Sequence, residues 1–425
     1  MSVIEELLEG VALPPMAQIS QRFSTREVQD VAEALRSELN KPDIIGQVKE
    51  GMRVAIAVGS RGMAQLPLIV KIVAEQIKAL GAKPFIVPAM GSHGGASAAG
   101  QKKVLASLGI TEESTGCPIV SSMEVVELGT TKQGQPVFID KNAYSADGIV
   151  IINRVKVHTA FSGANESGLV KMITIGLGKQ RGADSCHALG FKEMADFIVE
   201  MARISINKAP FLFGIATVEN AYEKIAQIAA VPVTAIIETD QKLLAEMKAG
   251  MPKLLLQPID VLIVDKLGKE FSGGGMDPYI TGRPPTPYVS VPGVSVARLV
   301  VLDVSDSSHG NVNGLGMADI TTRRLFEKID FTATYANVLT STVTPSGRIP
   351  LIMASDRQAV QAAIKTCNAP DPGKIRVVRI PNTLYIDKIL VSAAMLPEAK
   401  RQPDICVLSP LQDWMFDSAG NLEFR

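Results

Sequence analysis

Short apolar runs that end in glycine-rich turns, each followed by apolar positions at helical spacing, recur along the chain. "RVAIAV" reads as a strand and runs into the turn "GSRG". "LPLIVKIVAEQIKALG" then shows helical periodicity and stops at Gly81. "KPFIVPAM" is a second strand, which opens into the loop "GSHGGASA" and the helix "AAGQKKVLASLG". Upstream, "FSTREVQDVAEALRSEL" predicts a helix. Ser24 is its N-cap, Glu27 the capping-box partner, and Val28, Val31, Ala32, Leu35 and Leu39 lie at helical spacing. Further on, "GIVIIN" predicts a strand, "FKEMADFIVEMARISIN" a helix, and "FLFGIATV" and "TAIIETD" two more strands. A second series begins at "IDVLIVDKLGKEFSGGGMDPYITGR" and continues through "VARLVVLDVSDSSHGNVNG" to "KIRVVRIP".

Strand–loop–helix alternation of this kind is the grammar of a parallel sheet covered by helices. At 425 residues the chain exceeds one ordinary core. The expectation is two α/β domains with mostly parallel sheets. Residues 1–252 would form the N-terminal domain and residues 253–425 the C-terminal one. Ligands bind at the carboxyl ends of strands in open α/β sheets. The active site is therefore expected among those loops, in an interdomain cleft.

Composition narrows the function classes. Lys+Arg and Asp+Glu both number 43, which argues against nucleic acid or an anionic membrane as the partner. The longest apolar stretches, such as "IAAVPVTAII", are too short to span a bilayer. The N-terminus lacks the features of a signal peptide, and four scattered cysteines form no CxxC. A reduced, cytoplasmic protein is expected.

The chain has only four histidines. His93 sits in "MGSHGGA", where glycines let a ligand approach; it could transfer protons or merely bond its own loop. His158 follows a strand and could reach a sheet edge, or be an ordinary turn histidine. Lys171 interrupts the apolar run "GLVKMITIGLG". It is either a snorkelling cation or a desolvated amine usable as a nucleophile. His187, beside Cys186, could ligate a metal, although no HxH, HExxH or CxxC spacing supports a protein-built site. "GLGKQRG" is not a dinucleotide fingerprint, but Lys179 and Arg181 could hold one phosphate. His309 reads as turn chemistry.

The segments "GSRGM", "MGSHGGA", "NRVKVHTAFSG…SGLVKM…GLGKQRGA…H" and, more loosely, "DVLIVDKLGKEFSGGGMDPYITGR" together resemble the nickel-pincer-nucleotide-dependent lactate racemase family. That resemblance implies a racemase or epimerase of 2-hydroxy acids. It implies that Lys171 carries the nickel pincer nucleotide through a thioamide bond and that His187 binds the nickel. His93 and His158 would be the acid and base pair, and Arg61 and Arg283 would contact the substrate. It also implies partner proteins that build and load the cofactor. Val58 and Ile280 stand where the family carries an aspartate and a glutamine, which leaves the substrate open. Two other readings remain: a lyase forming a Schiff base at Lys171, and a non-catalytic small-molecule- or metal-binding homologue.

Overall fold

Strand β1 (Met16–Gln21) decides how the chain is partitioned. It pairs antiparallel with two strands near the C-terminus, Lys388–Ser392 on one side and Ile405–Val407 on the other. The computed structural model describes residues 2–60, 62–369 and 371–422. It divides into one unit of residues 24–251 and a second built from the segment before 24 together with everything from 252 onward. The first 23 residues, expected in the N-terminal domain, therefore fold with the C-terminal one. The reason is physical: Ala17 and Ile19 are fully buried, and the backbone groups of β1 pair with β14, β15 and neighbouring C-terminal residues such as Ser409 and Gln412.

The unit of residues 24–251 holds a five-stranded sheet. Its strands are β2 (Arg53–Val58), β3 (Lys83–Pro88), β6 (Gly148–Arg154), β7 (Phe211–Glu219) and β8 (Ile225–Pro232). A separate hairpin, β4 (Val125–Thr130) and β5 (Pro136–Asp140), precedes β6 in the chain. The sheet order is β3-β2-β6-β7-β8, parallel except for the antiparallel β8. β2 is apolar at almost every position because helices cover both faces of a parallel sheet.

Two expectations fail here. The first helix is Val31–Leu39 rather than one starting at Ser24, and it is capped by Asp30, whose carboxylate accepts from the Glu33 N–H at 2.9 Å. Residues before it are committed elsewhere: the Val28 N–H donates to Ile225 O and the Asn220 amide to Arg26 O. "TAIIETD" is not a strand but the beginning of the helix Ile236–Gly250. Its buried positions Ile236, Ile237, Asp240, Leu243 and Leu244 follow helical spacing once the whole segment is considered.

The second unit carries an eight-stranded sheet. Its remaining strands are β9 (Ile259–Leu267), β10 (Val296–Val304), β11 (Ile320–Thr322), β12 (Leu351–Met353), β13 (Val377–Ile380), β14 (Lys388–Ser392) and β15 (Ile405–Val407). The order is β12-β11-β10-β9-β13-β14-β1-β15. β12 through β13 run parallel, while β14, β1 and β15 pair antiparallel.

Ile19 packs in the same core cluster as Leu262, Val264 and Val391. Ile19→Ala is expected to destabilise this unit by about 2–5 kcal/mol. In hydrogen exchange, protection should fall in β14 and β15 and stay unchanged in β2; an equal loss in β2 would contradict the partition.

Candidate active site

Lys171 and His187 are 16 positions apart in one helical stretch, so a straight helix would separate them by about 24 Å. The chain instead reverses. Leu169–Lys171 form an α-helical turn, Met172–Gly176 a wider π-type turn, and Lys179–His187 a second helix. Between them Lys179 adopts a left-handed backbone conformation with φ +55°. Gly178 and Gly182 make the return possible: a Cβ on Gly178 would lie 2.3 Å from Thr174 O. As a result the Lys171 ammonium acts on the His187 ring. Burial lowers the His187 pKa, and the Lys171 charge lowers it further, against a backbone hydrogen bond at Ala183 and the charge of Asp184. His187 is thus favoured as a neutral imidazole, the form that can donate a lone pair to a metal.

The lysine in the apolar run now has a local explanation. Leu169, Val170, Met172 and Ile173 are buried, whereas Lys171 is half-buried on the remaining face of the turn. The turn's first N–H groups are capped from a distance. Leu169 N–H and Val170 N–H donate to the two carboxylate oxygens of Asp240, at 2.9 and 3.2 Å. Burial pushes the Asp240 pKa up to about 6, although these N–H groups and Asn165 act in the opposite direction.

His158 reaches the same place from the carboxyl end of β6. Its ring stacks on Phe161, centroids 4.4 Å apart, and lies 6.2 Å from Phe191; His187 lies 5.7 Å from that same Phe191. One aromatic ring thus touches both histidines. The buried carboxylate of Glu166 accepts from His158 N–H at 2.6 Å and Gly163 N–H at 3.1 Å, and it is paired with Lys248. The His158 Nδ1 accepts from the Ala160 N–H at 3.1 Å. An accepting Nδ1 puts the proton of the neutral ring on Nε2.

His93 follows β3, in an exposed turn where Gly91, Gly94 and Gly95 all have positive φ. The turn packs so tightly that a Cβ on Gly94 would lie 2.6 Å from Gln101 N. His93 Nδ1 shares a short hydrogen bond with the Ser60 hydroxyl from the loop after β2. A hydroxyl can donate or accept, so this partner suits a ring that changes protonation. The turn is joined to the Lys171 segment: Gly91 N–H donates to Gly176 O at 3.1 Å, and a Cβ on Gly59 would meet the Met172 side chain at 2.9 Å. Loops after β2, β3 and β6 therefore converge on the π-type turn that follows Lys171.

Other expectations resolve differently. Arg61 lies outside the described residues. Arg283 belongs to the other unit, where its guanidinium donates to Ala297 O at 2.8 Å and to Val296 O and pairs with Asp319 at 3.0 Å. These are structural partners, and its substrate role stands as a proposal. Val58 and Ile280 are core residues, 0% and 2% exposed. Lys179 is not a phosphate ligand, because it is fully buried and bonded to Pro88 O, Gln101 and Asp140. Arg181 lies over the Phe138 ring. The Cys186 thiol is buried against Met194 Sδ and pushed up to about 12, mainly by burial. His309 caps a short turn with φ +47°. Among the described residues no group of three or more His, Cys, Asp or Glu could hold a metal, and no helix is long and apolar enough to cross a membrane.

Residues 10–197 match the family model described as the lactate racemase N-terminal domain. No curated protein matches the chain. Two solved structures share its fold. One is a protein from Thermotoga maritima, 12% identical with a TM-score of 0.51, covering 85% of this chain and 99% of that one. The other is the lactate racemase apoprotein from Thermoanaerobacterium thermosaccharolyticum, 14% identical with a TM-score of 0.50, covering 87% and 99%.

Asp240 carries the pH dependence of the lysine-bearing turn. Its folded pKa lies above the unfolded value, so it binds a proton more tightly in the folded chain. Its contribution to stability is therefore fully present below about pH 4 and is lost as pH rises through about 6. Urea unfolding of wild type and Asp240→Asn at pH 4.5 and 6.5 should show the wild type losing more stability across that interval. Parallel behaviour of the two proteins would contradict the assignment.

Proposed function

We propose that this chain, whose residues 10–197 match the lactate racemase N-terminal domain model, racemises or epimerises a 2-hydroxy acid with a nickel pincer nucleotide tethered to Lys171. The observation that carries the reading is the return of His187 to Lys171, with His158 sharing the ring of Phe191. An amine, a neutral imidazole and a proton-transfer histidine are thereby gathered in one unit.

The residues suit such a group. His187 offers one neutral nitrogen donor, Cys186 beside it is buried against Met194, and among the described residues no group of three or more His, Cys, Asp or Glu stands ready for a metal. A metal held here would need its other donors from a ligand, and square-planar nickel accepts nitrogen and sulfur donors. Acylation of the Lys171 amine would remove its charge, so a tethered group would leave no cation beside His187. When bound, the pincer nucleotide supplies the hydride acceptor that no side chain can provide.

The remaining chemistry belongs to the chain. A carbon bearing hydroxyl, carboxylate and hydrogen gives up that hydrogen as hydride only if the hydroxyl loses its proton in the same step. Two enantiomers need a base on each side, and His93 and His158 fill those roles. The Ser60 hydroxyl can follow either protonation state of His93. To exchange a proton at Nε2, as a base or, once protonated, as an acid, the His158 ring carries a proton on Nδ1 and so releases the Ala160 N–H. Arg61 and Arg283 are proposed to hold the carboxylate. Loading requires the proteins that build the cofactor, and the substrate is a small 2-hydroxy acid.

Cofactor-loaded protein should erase the optical rotation of at least one chiral 2-hydroxy acid, and a deuterium placed at its C2 should be retained rather than lost to water. Lys171→Ala should abolish turnover, and His93→Ala or His158→Ala should lower it by about 10²–10⁴-fold. Full turnover by Lys171→Ala would overturn the reading.

A further inference from the structure

Beneath the His93 turn lies a polar network whose three side chains, Gln101, Lys179 and Asp140, are fully buried. Gln101 is fully buried in the helix Ala98–Ser107. Its side-chain nitrogen donates to Gly91 O at 2.9 Å and to His93 O at 3.3 Å. Its side-chain oxygen accepts from Lys179 Nζ at 2.9 Å. Both donors and the acceptor of this amide are used, so its orientation is fixed. Lys179 is also 0% exposed. Its Nζ donates as well to Pro88 O, at the end of β3, and pairs with Asp140 at 3.1 Å. Two hydrogen bonds and one ion pair therefore surround the ammonium. Asp140 in turn accepts from the Ala143 N–H at 2.9 Å.

Burial draws the Asp140 pKa up and the Lys179 pKa down, against the attraction between the two charges. A pair closed off in this way contributes little net stability compared with apolar packing of equal volume. What it supplies is connection. Lys179 is the first residue of the helix that ends at His187, and Gln101 holds both carbonyls that flank Ser92.

We infer that Gln101, Lys179 and Asp140 are positioning residues that lock the His93 turn in register with the Lys171–His187 helical pair. Gln101 acts on His93 through the backbone, and Lys179 ties that amide to the reversal that returns His187 to Lys171. The catalytic consequence rests on the function proposed above; the mechanical one does not.

The test is Gln101→Glu. A glutamate keeps the acceptor for Lys179 and removes both donors to the turn. Hydrogen exchange of residues 91–96 should accelerate at least tenfold, while β2 keeps its protection. The His93 ring resonances, resolvable among four histidines, should shift, while those of His309 stay. Loaded enzyme should lose kcat at least tenfold with KM changed less than twofold. A folded Gln101→Glu protein with unaltered 91–96 exchange and an unshifted His93 would overturn the inference. If this variant does not fold, the wild type decides: the Gln101 side-chain amide protons should exchange as slowly as the backbone of Ala98–Ser107, and fast exchange would overturn it. A wild type that turns over no 2-hydroxy acid, together with these exchange and ring effects in Gln101→Glu, would reject the functional reading and leave the network standing.

Discussion

At Lys179 the backbone enters the left-handed region with φ +55°, while its side chain runs into a site closed to water. Such a conformation costs a non-glycine residue of the order of 1 kcal/mol. It persists because the ammonium meets Pro88 O, Gln101 and Asp140 there. Everything specific about the candidate site follows from this reversal. Without it Lys171 and His187 would lie along one rod. With it, the helix Lys179–His187 folds back on the π-type turn and closes beside the ends of β2 and β3.

The two proposed proton-transfer histidines are set differently. His93 hangs on a turn and is oriented by a hydroxyl that can reverse its role. His158 is held by a backbone N–H on Nδ1, by stacking on Phe161 and by a loop fastened to Glu166. A reaction that must run in both directions needs two bases, yet nothing requires them to be equivalent.

Much of this was legible in the sequence where the signal was local. A lysine amid Leu169, Val170, Met172 and Ile173, a histidine between glycines, and strand–turn–helix alternation all stand out from their neighbours. What was hidden depends on distant partners. Asp240 caps the lysine-bearing turn from 71 residues away, and Gln101 meets Lys179 from 78 residues away. No window contains both ends of such pairs. The same limit explains β1, whose partners lie near the other end of the chain. It explains Lys179 too: glycine neighbours suggested a phosphate site, whereas the buried acceptors that claim its amine come from three other segments. "TAIIETD" misled because seven residues can satisfy strand and helix patterns alike, and only the following "QKLLAEMKAG" separates them.

The central claim is that Lys171 is the point of covalent attachment and that the reversal brings a metal-binding histidine to it. The most direct measurement is the intact and peptide-level mass of the protein made alongside the cofactor-building enzymes. The account requires a mass addition on the peptide containing Lys171, with nickel retained by the wild type and lost in His187→Ala. An unmodified Lys171 and no nickel in protein made under those conditions would contradict it.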